Sequence, residues 1–195
     1  FIKNPKGCSL DLFAYLYLKK TSAPVKLPQD WSLRASGADD FRALERFYED
    51  RSGGLLLDAL KLEKPISSIK EEFAAAGFKR NCQTLCLCEE DLPRAFFIVE
   101  ESDIGLNLSD LLNGIKAIIL QPDRLPWTIF ESVVNMLGSF YADKEIPLLI
   151  YPDDYPATQN VDISKKYRLW ILAGSSAEAY TEYMLNKFRI KYKVG

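Results

Sequence analysis

The chain has 195 residues, of which 48% are hydrophobic and 12% aromatic, and its formal net charge is −2. This composition is enough to bury one core, and it lacks the basic surplus of a dedicated nucleic-acid-binding protein, so we expect no nucleic-acid partner. No apolar run reaches the roughly 20 residues that a bilayer-spanning helix needs, so we also expect no membrane partner.

The chain contains no histidine. Histidine-based acid–base catalysis, Ser–His and Cys–His nucleophile pairs and histidine-ligated zinc are therefore excluded. The sequence starts at Phe1 and shows no signal-peptide pattern. We expect it to be part of a larger cytoplasmic protein.

The N-terminal part of the chain predicts an extension, residues 1–28, that precedes one domain, residues 29–195. Alternating aromatic residues at 8–20 favour a strand, and the prolines that follow indicate a connection. Amphipathic spacing predicts a helix at 38–50, with acidic residues in its first turn. A further strand is predicted at 31–34 and a further helix from about 67 to 76.

The central and C-terminal parts predict alternating strands and helices, which indicates an α/β (α+β) protein with helices on its sheet. Residues 78–88 and 94–100 read as a β-hairpin with an acidic turn. The remaining predicted strands are 115–120, 146–151, 167–172 and 188–194. The remaining predicted helices are 108–112, 128–141 and 175–186.

Three cysteines, Cys82, Cys86 and Cys88, form a C-x3-C-x-C pattern in the first hairpin strand. The pattern lacks the C-x2-C pairs of zinc and iron–sulfur sites. Alternation along a strand places the three side chains on one face, where small buried cysteines are the favoured interpretation. We expect no metal, and a metal site or a disulfide is the alternative.

A polar turn, residues 102–114, lies between two apolar strand-like segments. Polar residues at strand ends are where α/β proteins often bind ligands, so this turn is the first candidate site. Its first half, Ser102 to Asn107, reads S-x-x-G-x-N around Gly105. Turn and capping chemistry is the favoured interpretation of its Asp, Asn and Ser residues.

Near the C-terminus, Ser176, Ala179, Tyr183 and Phe188 follow the spacing N-x-x-A-x-x-x-Y-x-x-x-G-F, with Lys187 in place of the glycine. This motif and the element order from residue 31 onward resemble the GCN5-related N-acetyltransferase (GNAT) superfamily. The resemblance implies a mixed, largely antiparallel central sheet flanked by helices. It also implies that the sheet opens into a wedge beside residues 115–120.

The resemblance further implies a cofactor loop of the form Q/R-x-x-G-x-G/A, whose backbone N–H groups bind pyrophosphate. The matching positions are Ser102, Gly105 and Asn107, without the leading cation or amide. A second register places the loop after Leu120, from Gln121 onward, where two prolines remove N–H donors. Acetyl-CoA or another acyl-CoA is thus a possible cofactor, with no cofactor assured.

By the same resemblance, Tyr183 is the candidate general acid, and Glu100 or Glu101 is the candidate base. The favoured hypothesis is a non-catalytic or divergent GNAT-like module with a recognition or regulatory role, whose partner is an unknown small molecule or protein. The alternative is an acyl-CoA-dependent N-acyltransferase. A third hypothesis is another α/β enzyme or ligand-binding domain centred on residues 102–113.

Overall fold

The computed structural model describes residues 7–21, 26–52, 66–103, 113–141, 145–155 and 162–189. Within them the chain forms one seven-stranded sheet and four helices. The strands are β1 (Cys8–Lys19), β2 (Trp31–Ala35), β3 (Arg80–Glu89), β4 (Leu92–Ser102), β5 (Gly114–Ile119), β6 (Glu145–Tyr151) and β7 (Lys165–Leu172). The helices are α1 (Ala38–Ser52), α2 (Ile66–Ala75), α3 (Trp127–Leu137) and α4 (Gly174–Arg189), with 3-10 turns at Pro122–Arg124 and Gly138–Phe140.

The strand order across the sheet is β2-β3-β4-β5-β6-β1-β7. Every neighbouring pair is antiparallel except β5 and β6, which run parallel. The predicted fold class is confirmed as a mixed α+β fold with a largely antiparallel sheet. The strand predicted at 188–194 is wrong where it overlaps α4, which continues to Arg189, and its remainder lies outside the described residues, as does the helix predicted at 108–112.

Residues 8–19, which the sequence placed in an N-terminal extension, form β1 inside the sheet. β1 pairs with β6 on one side, where Ala14 lies opposite Ile150, and with β7 on the other, where Phe13 lies opposite Tyr167. Most of its side chains are buried on both faces of the sheet, as expected for an interior strand whose two faces are both covered. The edge strand β7 is thus joined to the rest of the sheet through β1.

The turn between β3 and β4 confirms the predicted hairpin. Its two central residues, Glu90 and Asp91, have φ angles of 48° and 67°. Two consecutive left-handed residues are typical of the tight turn whose twist matches that of a hairpin. This turn, together with a register shift between Leu87 and Cys88, places Cys82 opposite Glu100.

Each face of the sheet carries its own buried cluster. On one face, here called the α3 face, α3 packs Phe130 against Phe97, with ring centroids 6.0 Å apart. On the opposite face, here called the α1 face, Leu44 and Tyr48 of α1 pack against strand residues such as Ile118. The candidate site described below lies on the α1 face.

The parallel pair β5–β6 stands where the wedge was expected. Residues 115–118 of β5 pair with residues 148–151 of β6. At the start of β5 the backbones come close, since a Cβ added to Gly114 would lie 2.7 Å from the carbonyl oxygen of Pro147. The expected wedge is therefore wrong for residues 115–118.

Candidate functional site: an apolar cavity on the α1 face

An apolar cavity of about 280 Å³ lies on the α1 face of the sheet. Its walls come from α1 and from strands β1, β4, β5, β6 and β7. The lining residues are Phe13, Tyr48, Ile98, Lys116, Ala117, Ile118, Leu149, Tyr151, Tyr167, Arg168 and Leu169. Four of them are aromatic and two are cationic, so the cavity combines an apolar wall with a small number of charged groups, as small-molecule sites do.

The strand register explains why these side chains share one face. Ile98 of β4 lies opposite Lys116 of β5, and Lys116 lies opposite Leu149 of β6. Residues directly opposite on neighbouring strands project to the same side. Because Arg168 alternates with Tyr167 and Leu169 on β7, its side chain points to the other face. Lys116 is therefore the cation whose side chain faces the cavity.

Lys116 belongs to a buried ion cluster at one end of the cavity. Glu100, whose side chain is 6% exposed, forms ion pairs with Lys116 and with Arg80, the latter at 3.0 Å. The guanidinium of Arg80 also lies over the ring of Phe73, 4.9 Å from its centroid. Two cations thus share one carboxylate, and both keep about a fifth of their side chains exposed, 20% for Arg80 and 22% for Lys116.

A buried carboxylate lies beyond the other end of the cavity. Asp11, which is 1% exposed, accepts hydrogen bonds from the Tyr151 hydroxyl at 2.5 Å and from the Ser9 hydroxyl at 3.0 Å. The ring of Tyr48 stacks on that of Tyr151, with centroids 5.3 Å apart. Burial, and next the neighbouring Tyr151 and Asp11, raise the pKa of Tyr48 well above its usual value. The Tyr48 hydroxyl therefore keeps its proton at ordinary pH.

The two candidate bases face opposite sides of the sheet. Glu100 lies on the α1 face within the ion cluster, whereas the side chain of Glu101 binds Lys79 at 2.8 Å and Asn81 at 3.1 Å. Hydrogen bonds from Lys79 and Asn81 hold the pKa of Glu101 below its usual value. Both carboxylates are thus held in ion pairs with neighbouring cations.

The candidate acid Tyr183 lies on α4, which follows the edge strand β7. Its side chain is 50% exposed, and the ammonium of Lys187 lies 5.7 Å from the centroid of its ring. The neighbouring Tyr180 contacts Trp170 of β7, with ring centroids 4.9 Å apart. Strands β4 and β7 are four strand spacings apart in the sheet, which is about 19 Å.

The candidate cofactor-binding residues divide between the two ends of β5. At its start, the backbone N–H of Ser102 donates to Asn113 Oδ1 at 2.5 Å. At its end, the N–H groups of Leu120 and Gln121 donate to the carbonyl oxygen of Arg94 at 2.9 and 3.2 Å. Six strand residues, roughly 20 Å, separate the two ends. The other two candidates, Gly105 and Asn107, lie outside the described residues.

Two of the predicted buried cysteines lie close to a carboxylate. The sulfur atoms of Cys86 and Cys88 are 3.7 Å apart, and both lie within 4.8 Å of a carboxylate oxygen of Asp40. Asp40 is already bound by the guanidinium of Arg34, at 2.5 and 2.9 Å, and by the N–H of Gly37 at 2.7 Å. Although burial works against it, these donors hold the pKa of Asp40 below its usual value.

The thiols themselves favour packing over metal ligation. Burial, and next the adjacent Cys88, raise the pKa of Cys86 far above its usual value. Burial, and next Glu100, raise the pKa of Cys82 to about 11. A thiol must lose its proton to bind a metal, so a raised pKa works against binding. A metal at this cluster would also have to displace Arg34 from Asp40.

We expect the three β3 cysteines to react slowly with iodoacetamide in the folded protein. Near pH 8 a thiol with a pKa of about 11 is ionised in about one molecule per thousand, against roughly a quarter for an ordinary cysteine. Cys82 should therefore be alkylated roughly a hundredfold more slowly than free cysteine, and Cys86, whose pKa is raised further, more slowly still. Cys88 should also react slowly because its side chain is fully buried. Mass spectrometry of quenched samples measures the rates, with urea-unfolded protein as control. Rapid alkylation of Cys86, or one equivalent of bound zinc or iron, would contradict the packing interpretation.

Sequence reasoning missed the cavity and most of its residues. One signal was available, since Lys116 is the single charged residue in the otherwise apolar stretch 114–119. A lone charge in a buried strand needs a partner, and Glu100 supplies it across the hairpin-like pair β4–β5. Phe13, Tyr48 and Tyr167 come together at the cavity because of the strand order and the position of α1. No local sequence pattern predicts this.

None of the helices in the described part of the chain combines the length and the apolar character that crossing a membrane requires.

No family model and no curated protein matches the chain. Among solved structures, it is similar to a GCN5-related N-acetyltransferase from Anabaena variabilis, with a TM-score of 0.41 and 11% sequence identity. The match covers 85% of this chain and 41% of that one, so the chain spans about two fifths of that structure's length. A likeness at this TM-score and identity carries no conclusion about the fold family or the activity of this chain.

Proposed function

We propose that this domain is a non-catalytic or divergent GNAT-like module that binds a small apolar molecule on the α1 face of its sheet. The proposed role of this module is recognition or regulation. The observation that carries it is the cavity of about 280 Å³ walled by four aromatic side chains. An apolar concavity with a few charged groups is the commonest form of a small-molecule site.

The positions of the candidate catalytic groups support binding over catalysis. A general acid and a general base must both come within hydrogen-bond reach of the reacting atoms. Glu100 is held between two cations, and Tyr183 lies on α4, whose Tyr180 packs against Trp170 of the edge strand β7. Neither residue lines the cavity.

Calorimetric titration with two neutral probes, 1-octanol and indole, tests the proposal. We expect at least one probe to bind saturably with a Kd below about 1 mM. Leu149→Trp, which places a large ring in the cavity, should abolish this binding. The matched control Leu12→Trp adds the same ring on the other face of β1, where Leu12 is 36% exposed, and should leave binding unchanged.

Three results would overturn the proposal: no binding of either probe, equal binding by the Leu149→Trp variant, or catalytic turnover. For the last of these, acetyl-CoA and free coenzyme A are titrated in parallel. Saturable binding of acetyl-CoA with acyl transfer to an amine would favour the N-acyltransferase alternative instead. In that case Tyr183→Phe should lower turnover with little loss of stability.

A further inference from the structure

We propose that the ligand of this cavity is an apolar monocarboxylate whose charged end binds Lys116 and whose tail extends toward Tyr151 and Phe13. This inference rests on the proposed function and adds the chemical class and orientation of the ligand. It depends on three features of the described residues: an incompletely neutralised cation at one end, an apolar wall, and a buried carboxylate at the other end.

The cation at one end has capacity for a second anion. Lys116 and Arg80 carry two positive charges, and Glu100 carries the one negative charge of the cluster. The ammonium of Lys116 has three N–H donors, of which Glu100 occupies one. In addition, the buried Nε of Arg80 has no hydrogen-bond partner among the described residues. A ligand carboxylate at Lys116 would neutralise the remaining charge of the cluster.

The opposite end of the cavity disfavours an anion. Tyr151 lines the cavity, and its hydroxyl is committed to the buried carboxyl group of Asp11. A ligand carboxylate near Tyr151 would lie next to the Asp11 carboxyl group, which already accepts the Tyr151 hydrogen bond, and two carboxylates in a poorly solvated site repel strongly. The apolar part of the ligand is therefore the part that contacts Tyr151, Phe13 and Tyr167.

The volume of the cavity suggests the size of the ligand. An apolar protein cavity of about 150 Å³ accommodates benzene. A cavity of about 280 Å³ has room for an apolar group roughly twice as large, such as an eight-carbon chain. Octanoate and 1-octanol therefore form a matched pair of probes that have the same chain length and differ in charge.

Calorimetric titration of wild-type protein with the two probes tests the inference. We expect octanoate to bind about tenfold more tightly than 1-octanol, the range that a charge-assisted hydrogen bond typically supplies. Lys116→Met should abolish this preference, so that octanoate and 1-octanol bind the variant with similar affinity, whereas Lys116→Arg should retain the preference. Glu100 keeps its Arg80 partner in these variants, so they should fold, and Lys116→Gln provides a second neutral variant.

A matched control and the possible outcomes separate this inference from the proposed function. Lys166→Met removes a lysine of β7 whose ion-pair partner is Asp153 and which does not line the cavity, so it should change neither affinity. If octanoate, 1-octanol and indole all fail to bind wild-type protein, the proposed function fails and this inference with it. If indole alone binds, the inference is overturned while the proposed function stands. If both bind equally, or if Lys116→Met still prefers octanoate, the inference is overturned while the proposed function stands.

Discussion

Replacing Glu100 with leucine is expected to lower the free energy of unfolding by about 3 kcal/mol. The substitution leaves Arg80 and Lys116 next to each other without the carboxylate that they share. Removing one partner of a buried ion pair costs about 3–5 kcal/mol because the remaining charge is buried without compensation. The lower end of this range applies here, since both cations keep about a fifth of their side chains in solvent and can turn outward.

Urea denaturation measures this loss, and Glu101→Leu is the matched control on the next residue. The Glu101 side chain is 43% exposed and pairs with Lys79, whose side chain is 55% exposed. Surface pairs of this kind contribute about 0–1 kcal/mol. Equal losses in the two variants would show that Glu100 does not hold the cluster together. A large loss for Glu100 alone would identify it as a structural carboxylate and weaken its candidacy as a catalytic base.

The fold class followed from local patterns, whereas the position of β1 did not. The acidic hairpin turn and the amphipathic helices α1 and α3 are encoded by neighbouring residues, so their prediction was confirmed. β1 pairs with β6 and β7, which lie more than a hundred residues further along the chain. Few residues in 8–19 are polar, as expected for a strand that is buried on both faces. This pattern does not show which strands pair with β1.

The candidate site was less predictable than the fold because its residues are far apart in the sequence. The motif around Tyr183 places Ser176, Ala179 and Tyr183 on one side of a helix, and that spacing is also typical of any amphipathic helix. The motif does not show that α4 packs against the edge strand β7. The cavity, in contrast, depends on five strands meeting α1. Lys116, the lone charged residue of β5, was the one feature of the sequence that indicated the cavity.

The closed β5–β6 pair also bears on the acyl-CoA alternative. The resemblance implied a wedge between these strands for a slender cofactor, yet residues 115–118 are paired with 148–151. The cavity lies over the face of the sheet and has walls on both strands, since Lys116 and Leu149 both line it. A ligand there would lie across the strands. The proposed monocarboxylate is compatible with this shape.

Gly114→Ala tests the close approach of β5 and β6 directly, and we expect it to lower the free energy of unfolding by about 3 kcal/mol. The added Cβ would lie 2.7 Å from the carbonyl oxygen of Pro147 and 3.1 Å from its Cβ. These atoms belong to the backbone and to a rigid ring, so they cannot move aside as a flexible side chain would. The strands must separate at this point, which weakens their pairing and the adjacent ion cluster.

Thermal and urea denaturation of this variant should be compared with those of Gly174→Ala. At Gly174, the first residue of α4, an added Cβ meets no atom within 4 Å, and alanine has the higher helix propensity, so its stability should stay within about 0.5 kcal/mol of wild type. Octanoate binding gives a second readout, because a shift of β5 moves Lys116. If Gly114→Ala were as stable as Gly174→Ala, β5 and β6 would be further apart than described, and a cofactor wedge between them would again be possible.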